Sequence, residues 1–201
     1  MKSHLKLIAD RTLKPIETAA QLTIEDLRQA TNQSVDTILT LISDLDDDDV
    51  TFDPDDPQAN DPYAVSGEEH IGWNLAHLIA HVTASSEEGA AFSSLLARGI
   101  PASERPRYET PWREITTKAQ CVQRLEESRR IRLAYLDTWP DTPHLDVNRV
   151  VSERFIEKHG PLNAPAAFIF GLRHELGHMD QMREVKQQAL EAKQNQQART
   201  L

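Results

Sequence analysis

The stretch of sequence that decides the fold runs from Asn163 to Val185 and reads NAPAAFIFGLRHELGHMDQMREV. Its large apolar residues recur every three or four positions, as they do along one face of an α-helix. The members of this stripe are Phe168, Leu172, Leu176, Met179, Met182 and Val185. Pro165 falls in the first turn, where a missing amide donor costs little. We therefore predict a long helix that begins near Asn163 and continues into the 190s.

Three earlier segments carry the same helical period, and no segment of comparable length alternates like a strand. The predicted helices run from about Pro15 or Thr23 to Leu45, from about Ser66 to Arg98, and from about Thr117 to Trp139. Four long amphipathic helices in a small chain predict an all-α fold, a four-helix bundle. We expect one domain over residues 1–201, with a bundle core at about residues 15–190 and a frayed tail at residues 191–201.

Long polar segments connect these predicted helices. Residues 46–65 are acidic and contain three prolines, and residues 99–116 are rich in proline and arginine. Both have too few apolar residues to fold alone, so they are predicted to be surface loops. The third connection covers residues 140–161, in which residues 150–158 favour a short helix.

Composition excludes several classes of function. The formal net charge of -10 would repel nucleic acid, and the only basic cluster, Arg129, Arg130 and Arg132, is predicted to be a solvated helix face. No apolar run is long enough for a membrane span, and residues 1–12 contain none of signal-peptide length. A single cysteine, Cys121, allows no intrachain disulfide and fits a reducing compartment. We expect a cytoplasmic protein that binds neither nucleic acid nor membrane.

Two histidine pairs with the same spacing are the main chemical signal. His77 and His81 lie in the second predicted helix, and His174 and His178 lie in the fourth. Residues four apart share one helix face, with Cβ atoms about 5–6 Å apart, so two imidazoles can converge on one metal ion. A lone helical histidine is more often a surface or hydrogen-bonded residue, but two pairs among apolar residues favour a metal site. The third ligand would come from the second helix.

The segment from His174 to His178 also matches the His-Glu-x-x-His pattern of zinc metallopeptidases. In those enzymes the glutamate is the general base, which makes Glu175 a candidate catalytic residue. The alternative for Glu175 is an ordinary solvated or salt-bridged helix residue. Metallopeptidases generally pair this helix with a sheet that binds the peptide, and no strand is predicted here. A peptidase is therefore the weakest of the hypotheses.

Residues 72–81, which read GWNLAHLIAH, resemble the DinB-like family of DNA-damage-inducible four-helix proteins with a three-histidine metal site. That family has a tryptophan at the start of the second helix and a ligand histidine eight residues later, and Trp73 and His81 have this spacing. The order of helices is also similar over most of the chain. The resemblance implies that His81, rather than His77, is the ligand from the second helix.

The second similar stretch contains His174, His178 and Gln181, which match a His-x-x-x-His pair followed three residues later by glutamine. The resemblance thus implies a metal site of His81, His174 and His178 with open positions for water or substrate. It implies nickel, zinc, iron or manganese as the divalent metal, and a homodimer. Relatives with known activities transfer low-molecular-weight bacterial thiols, isomerise thiol-linked intermediates or hydrolyse amides.

Two further side chains fall near this predicted site. His77 is an addition to the family pattern and is a candidate fourth ligand, proton shuttle, hydrogen-bond partner of a ligand, or replacement for His81. It is the second candidate catalytic residue beside Glu175. Glu88 lies seven residues after His81, on nearly the same helix face, and could accept a hydrogen bond from a ligand, although a solvated glutamate is the simpler interpretation.

The leading hypothesis is a metal-dependent enzyme, a thiol S-transferase or a hydrolase, that acts on a small molecule through a metal-activated water or thiol. The small molecule could itself be a low-molecular-weight thiol. Zinc, nickel and iron all suit histidine ligands. The alternative is a non-catalytic helical bundle in which the metal is structural or absent.

Overall fold

The computed structural model describes residues 4–61 and 66–199. In chain order its helices are α1 (His4–Ala9), α2 (Pro15–Ala19), α3 (Ile24–Leu41), α4 (Asp47–Val50), α5 (Leu75–Ala97), α6 (Lys118–Asp137), α7 (Glu153–His159), α8 (Ala164–Gly177) and α9 (Met179–Arg199). A short 3-10 turn spans Trp112–Glu114. The described residues contain no strand, so the predicted all-α class is confirmed. Within the same residues, no helix has both the length and the apolar character needed to cross a membrane.

Side-chain caps determine where the long helices begin. Thr23 caps α3 and Thr117 caps α6, both at the predicted positions, because each side chain accepts a hydrogen bond from the third backbone amide of its helix. The predicted start of the second helix at Ser66 is wrong. That helix, α5, begins at Leu75, since Asn74 Oδ1 accepts a hydrogen bond from the His77 amide at 2.9 Å.

The fourth predicted helix is interrupted in the structure. It consists of α8 and α9, and His178 lies between them. The His178 amide donates to the Glu175 carbonyl, three residues back, which tightens the last turn of α8. The Arg11 guanidinium occupies the space that a side chain at Gly177 would need. Helix α9 then continues to Arg199.

The long helices form a ring. Helix α5 packs against α6 and α8, and α3 packs against the same two helices. Helices α3 and α5 therefore lie across the ring from each other although they follow one another in the chain. The long connection between them, which includes α4, spans this distance. Helix α9 extends beyond the ring and packs against α4 and α5.

Helices α5 and α8 cross with their backbones in contact. A Cβ atom at Gly171 would lie 2.8 Å from the Ser85 carbonyl oxygen, and a Cβ atom at Gly89 would lie 2.8 Å from the Ala167 carbonyl oxygen. Only glycine permits this approach without a shift of one helix. His174 lies one turn beyond Gly171 on α8, so this crossing holds its side chain against α5.

The helices enclose two apolar clusters, one towards each end of the helix axes, and a buried polar layer lies between the clusters. Its central residue is Glu175, which is fully buried together with Arg132 of α6. The two side chains form an ion pair, with Arg132 Nη1 3.1 Å from Glu175 Oε2. Ser86 Oγ donates to the same carboxylate at 2.7 Å, and Ser34 Oγ donates to its other oxygen. The prediction that Arg132 belongs to a solvated helix face is therefore wrong.

Candidate metal centre

Three histidines converge between α5 and the junction of α8 with α9. His81 comes from α5, His174 from the last turn of α8, and His178 from the residue that separates α8 from α9. One nitrogen from each ring lies within 4.8 Å of the others, and His81 Nε2 is 2.7 Å from His174 Nε2. Nitrogens that bind one ion at about 2.0–2.1 Å lie about 3 Å apart, so small movements would bring these donors to metal-binding distances.

Two of these rings have hydrogen-bond partners that direct the Nε2 atom towards the shared centre. Gln181 Oε1 lies 2.8 Å from His178 Nδ1, which places the proton on Nδ1 and the lone pair on Nε2. Glu109 Oε2 lies 3.5 Å from His81 Nδ1, and Arg107 Nη2 lies 3.3 Å from the same nitrogen. When His81 Nε2 binds a cation, Nδ1 carries the proton, and Glu109 can then accept a hydrogen bond from it. Such partners orient metal-binding histidines and raise their basicity. The three side chains therefore fit a divalent ion.

The charge states in this region also favour a cation. Burial lowers the pKa of His174 to about 3, and burial likewise lowers the pKa of His178, so both rings are neutral at neutral pH. Neutral imidazole is the form that binds metal. Burial alone would raise the pKa of Glu109, but hydrogen bonds with His81 and Arg107 outweigh it and lower that pKa to about 2. Glu109 therefore stays a carboxylate beside His81.

His77 has a different environment from the three converging histidines. Its ring stacks between Trp73, at a centroid distance of 4.4 Å, and Trp112, at 4.6 Å. Among the described residues, the side chains close enough to share an ion are His81, His174 and His178, and His77 is not one of them. His77 does line the adjacent cavity. Its candidate catalytic role remains a prediction.

Stability of the metal-free protein is expected to fall in mild acid, and replacement of His77 by phenylalanine should reduce this effect. Burial lowers the pKa of His77 from an ordinary value of 6.5 to about 4. Between these values the unfolded chain binds more protons than the folded chain, so the free energy of unfolding falls as the pH drops below 6.5. Urea unfolding of both proteins at about pH 7 and about pH 5 measures this difference. An equal pH effect in both proteins would contradict the prediction.

Glu175 does not reach the converging histidines, and the structure corrects its interpretation as a general base. Its carboxylate points into the polar layer, where Arg132, Ser86 and Ser34 bind both oxygens. The residue is fully buried and does not line the cavity. The reason is helix geometry, because neighbouring positions differ by about 100° in direction. The structure thus matches the salt-bridged alternative for Glu175 rather than the metallopeptidase pattern.

A cavity of about 790 Å³ opens beside the histidines, and both His81 and His174 line it. Several charged and aromatic side chains of the cavity come from connecting loops and were not predicted from the sequence: Arg105, Arg107, Glu109, Trp112 and Arg149. The arginine content of residues 99–116 was a signal for Arg105 and Arg107, and the sequence carried no comparable signal for Arg149. Glu88 is also corrected. It is buried, and its carboxylate binds Arg105 at 2.6 and 2.7 Å instead of facing solvent.

The fold and the site define a class of helical proteins in which histidines from one helix and from the end of an adjacent helix form a candidate metal centre at a cavity wall. A family model matches residues 53–182, which include α5 to α8 and all three converging histidines. This chain belongs to the DinB superfamily. No curated protein and no solved structure matches it significantly.

Proposed function

We propose that this chain is a divalent-metal-dependent enzyme that transfers a low-molecular-weight thiol or hydrolyses a small substrate. The observation that carries the proposal is the position of the histidines. His81 and His174 hold their ring nitrogens together at the wall of the cavity, and no fourth His, Cys, Asp or Glu of the described residues joins the group. Three protein ligands beside a cavity are typical of catalytic metal sites, whereas structural sites have four.

A divalent ion held by three neutral imidazoles would lower the pKa of a water or thiol that binds it. The protein side chains have separate tasks. Glu109 and Gln181 hold two of the imidazoles in the orientation that exposes Nε2. Trp73 and Trp112 enclose His77 and make one wall of the cavity apolar. The cavity volume suits a small molecule, for which binding sites are typically about 300–1,000 Å³.

Metal reconstitution is the direct test. The protein is stripped with a chelator, reloaded separately with zinc, nickel, iron(II) or manganese, and assayed with a panel of low-molecular-weight thiols plus an electrophile, and with small amides. We expect about one ion per chain and turnover that disappears on chelation and returns on reloading. Turnover that persists in the metal-free protein would contradict the proposal.

The same preparations test the alternative of a structural metal. A structural ion would contribute directly to folding, so chelation would cause a large loss of thermal stability. Such a loss, combined with no turnover for any metal and any substrate class, would favour the non-catalytic bundle. An open site predicts a smaller effect of chelation on stability, together with binding of a thiol or an inhibitor only in the metal-loaded protein.

A further inference from the structure

An arginine cluster lines the cavity around Glu88. Glu88 lies at its centre and is bound by Arg105, while Arg107 Nη1 and Arg149 Nη2 are 3.7 and 3.9 Å from its carboxylate. Arg107 also links this cluster to the histidines, because its guanidinium donates to Ser85 Oγ at 2.6 Å and to the His81 carbonyl at 3.4 Å. We call Arg105, Arg107 and Arg149 the arginine cluster.

Arg149 is the residue in this cluster with unused donors. Its side chain is 13% exposed and lies over the Phe92 ring, with Cζ 3.8 Å from the ring centroid. Its Nε is buried and has no hydrogen-bond partner within the described part of the chain. Its nearest carboxylate, on Glu88, lies at 3.9 Å and is beyond hydrogen-bond range. A buried donor without a partner is costly, which points to an acceptor from outside the chain.

The backbone holds Arg149 in this position. The Arg149 amide donates to the Leu162 carbonyl at 2.8 Å, and the next amide, of Val150, donates to the Ala102 carbonyl at 3.0 Å. The segment between α6 and α7 is therefore tied both to the start of α8 and to the loop that carries Arg105. This anchoring makes the guanidinium preorganised for binding, because little conformational entropy is lost when a ligand arrives.

The charges in this part of the cavity favour a ligand with a single negative charge. The three guanidinium groups of the arginine cluster face two carboxylates, Glu88 and Glu109, which leaves an excess of one positive charge. Arg113 pairs with Glu68 at 2.7 Å, and Asp61 is a further carboxylate of the cavity lining, so the excess positive charge is confined to the arginine cluster. A planar guanidinium fork matches the geometry of a carboxylate.

Aromatic rings line the cavity wall beside the arginine cluster. Phe92, Phe155 and Phe170 line its wall, and the last two pack against each other with centroids 5.4 Å apart. Glu88 lies seven residues after His81 on the same helix, which separates the two ends of the cavity by about 10 Å at 1.5 Å per residue. A molecule that reached both ends would have an apolar body of about this length.

We propose that Arg149, together with Arg105 and Arg107, binds the carboxylate of a substrate whose apolar or aromatic body lies along the phenylalanine wall and whose opposite end reaches His81, His174 and His178. The substrate class is therefore a monoanionic carboxylate with an apolar body. This inference rests on the proposed function for the reacting end of the substrate. Binding of the carboxylate itself needs only the arginine cluster.

Calorimetric binding of phenylpropionate and of its neutral amide, phenylpropionamide, tests this inference. We expect the carboxylate to bind at least about tenfold more tightly than the amide, because only the carboxylate accepts charge-assisted hydrogen bonds. Arg149→Met should remove this preference, and Arg149→Lys should retain part of it because the charge remains. Arg183→Met is the control, since Arg183 is an exposed residue of α9 outside the cavity. Phenyl phosphate, a dianion, should bind no better than phenylpropionate.

Three results would overturn the inference: no preference for the carboxylate over the amide, an unchanged preference in Arg149→Met, or stronger Arg149-dependent binding of phenyl phosphate. The measurements are repeated with metal-free His174→Ala protein. The preference should persist there if the arginine cluster binds the carboxylate, whereas its loss would show that the carboxylate binds the ion and would refute the assignment. A failure of the proposed function alone would give a different result. Metal-dependent turnover would be absent, while the Arg149-dependent preference for the carboxylate would remain.

Thermal unfolding of the same variants checks that a loss of binding is not a loss of fold. Glu88 keeps its hydrogen bonds to Arg105 when Arg149 is replaced, so Arg149→Met leaves no unpaired buried carboxylate. It also removes a buried donor that has no partner. We therefore expect the midpoint temperature of thermal unfolding of Arg149→Met to equal or exceed that of the wild type. This is common for residues whose role is binding rather than stability. A marked decrease would indicate a structural role and contradict the proposal.

Discussion

Alanine at His174 or at His178 is expected to reduce the bound metal from about one ion per chain to almost none. Either change leaves two of the three imidazoles that converge in the structure. His174 and His178 lie close together in the chain, at the junction of α8 and α9. Removal of either imidazole leaves the other without the second nitrogen ligand from this junction. Elemental analysis of the purified variants after dialysis measures the effect directly.

Two histidines outside the converging group provide matched controls. His77→Ala removes a ring that stacks between tryptophans, and His159→Ala removes a histidine that packs against Phe155 and Phe170. Both variants should keep about one ion per chain, because neither side chain shares the centre. Full metal occupancy in a His174→Ala/His178→Ala double variant would show that the ion binds elsewhere. Loss of metal in His77→Ala would show that His77 is a ligand.

Replacement of Arg132 by methionine is expected to lower the free energy of unfolding by about 3–5 kcal/mol. Arg132 and Glu175 are both fully buried, and the change leaves the Glu175 carboxylate in the core with only hydroxyl partners. Removal of one partner from a buried ion pair is far more costly than removal of both, since an uncompensated charge remains. Urea unfolding at neutral pH measures the loss.

The double variant Arg132→Met/Glu175→Gln separates a structural from a catalytic role of Glu175. Its glutamine is neutral and can still bond Ser34 and Ser86, so the double variant should be more stable than Arg132→Met alone. It should also retain metal and turnover, because Glu175 lies outside the cavity. If Glu175 were the general base of a metallopeptidase, the double variant would bind metal and lose all turnover. A double variant less stable than the single one would disprove the ion-pair argument.

The helical part of the site was predictable because helices impose a period on the sequence. The spacing of four between His174 and His178 places them on one face, and this holds wherever the helix begins. The choice between His77 and His81 did not follow from spacing, since both lie on the same face of α5. It required the resemblance built on Trp73. In the structure Trp73 and Trp112 enclose His77, while His81 faces His174.

The rest of the site was not predictable, because the loops have no such period. Arg107, Glu109 and Arg149 come together only through the folded paths of two separate connections. The break at His178 also has no clear sequence signal, since the apolar stripe continues across it. Arg132 was misassigned because its neighbours in sequence are charged, whereas its partner Glu175 is 43 residues away in the chain.

The contact between Gly89 and Gly171 has a consequence for how this scaffold can change. Two backbones that touch have no side chains between them to repack, so the spacing of the helices is fixed by main-chain atoms alone. Variation in chemistry must therefore come from the segments laid over the crossing. Substitutions that are meant to change ligand selectivity could be made in residues 99–116 without changing either helix.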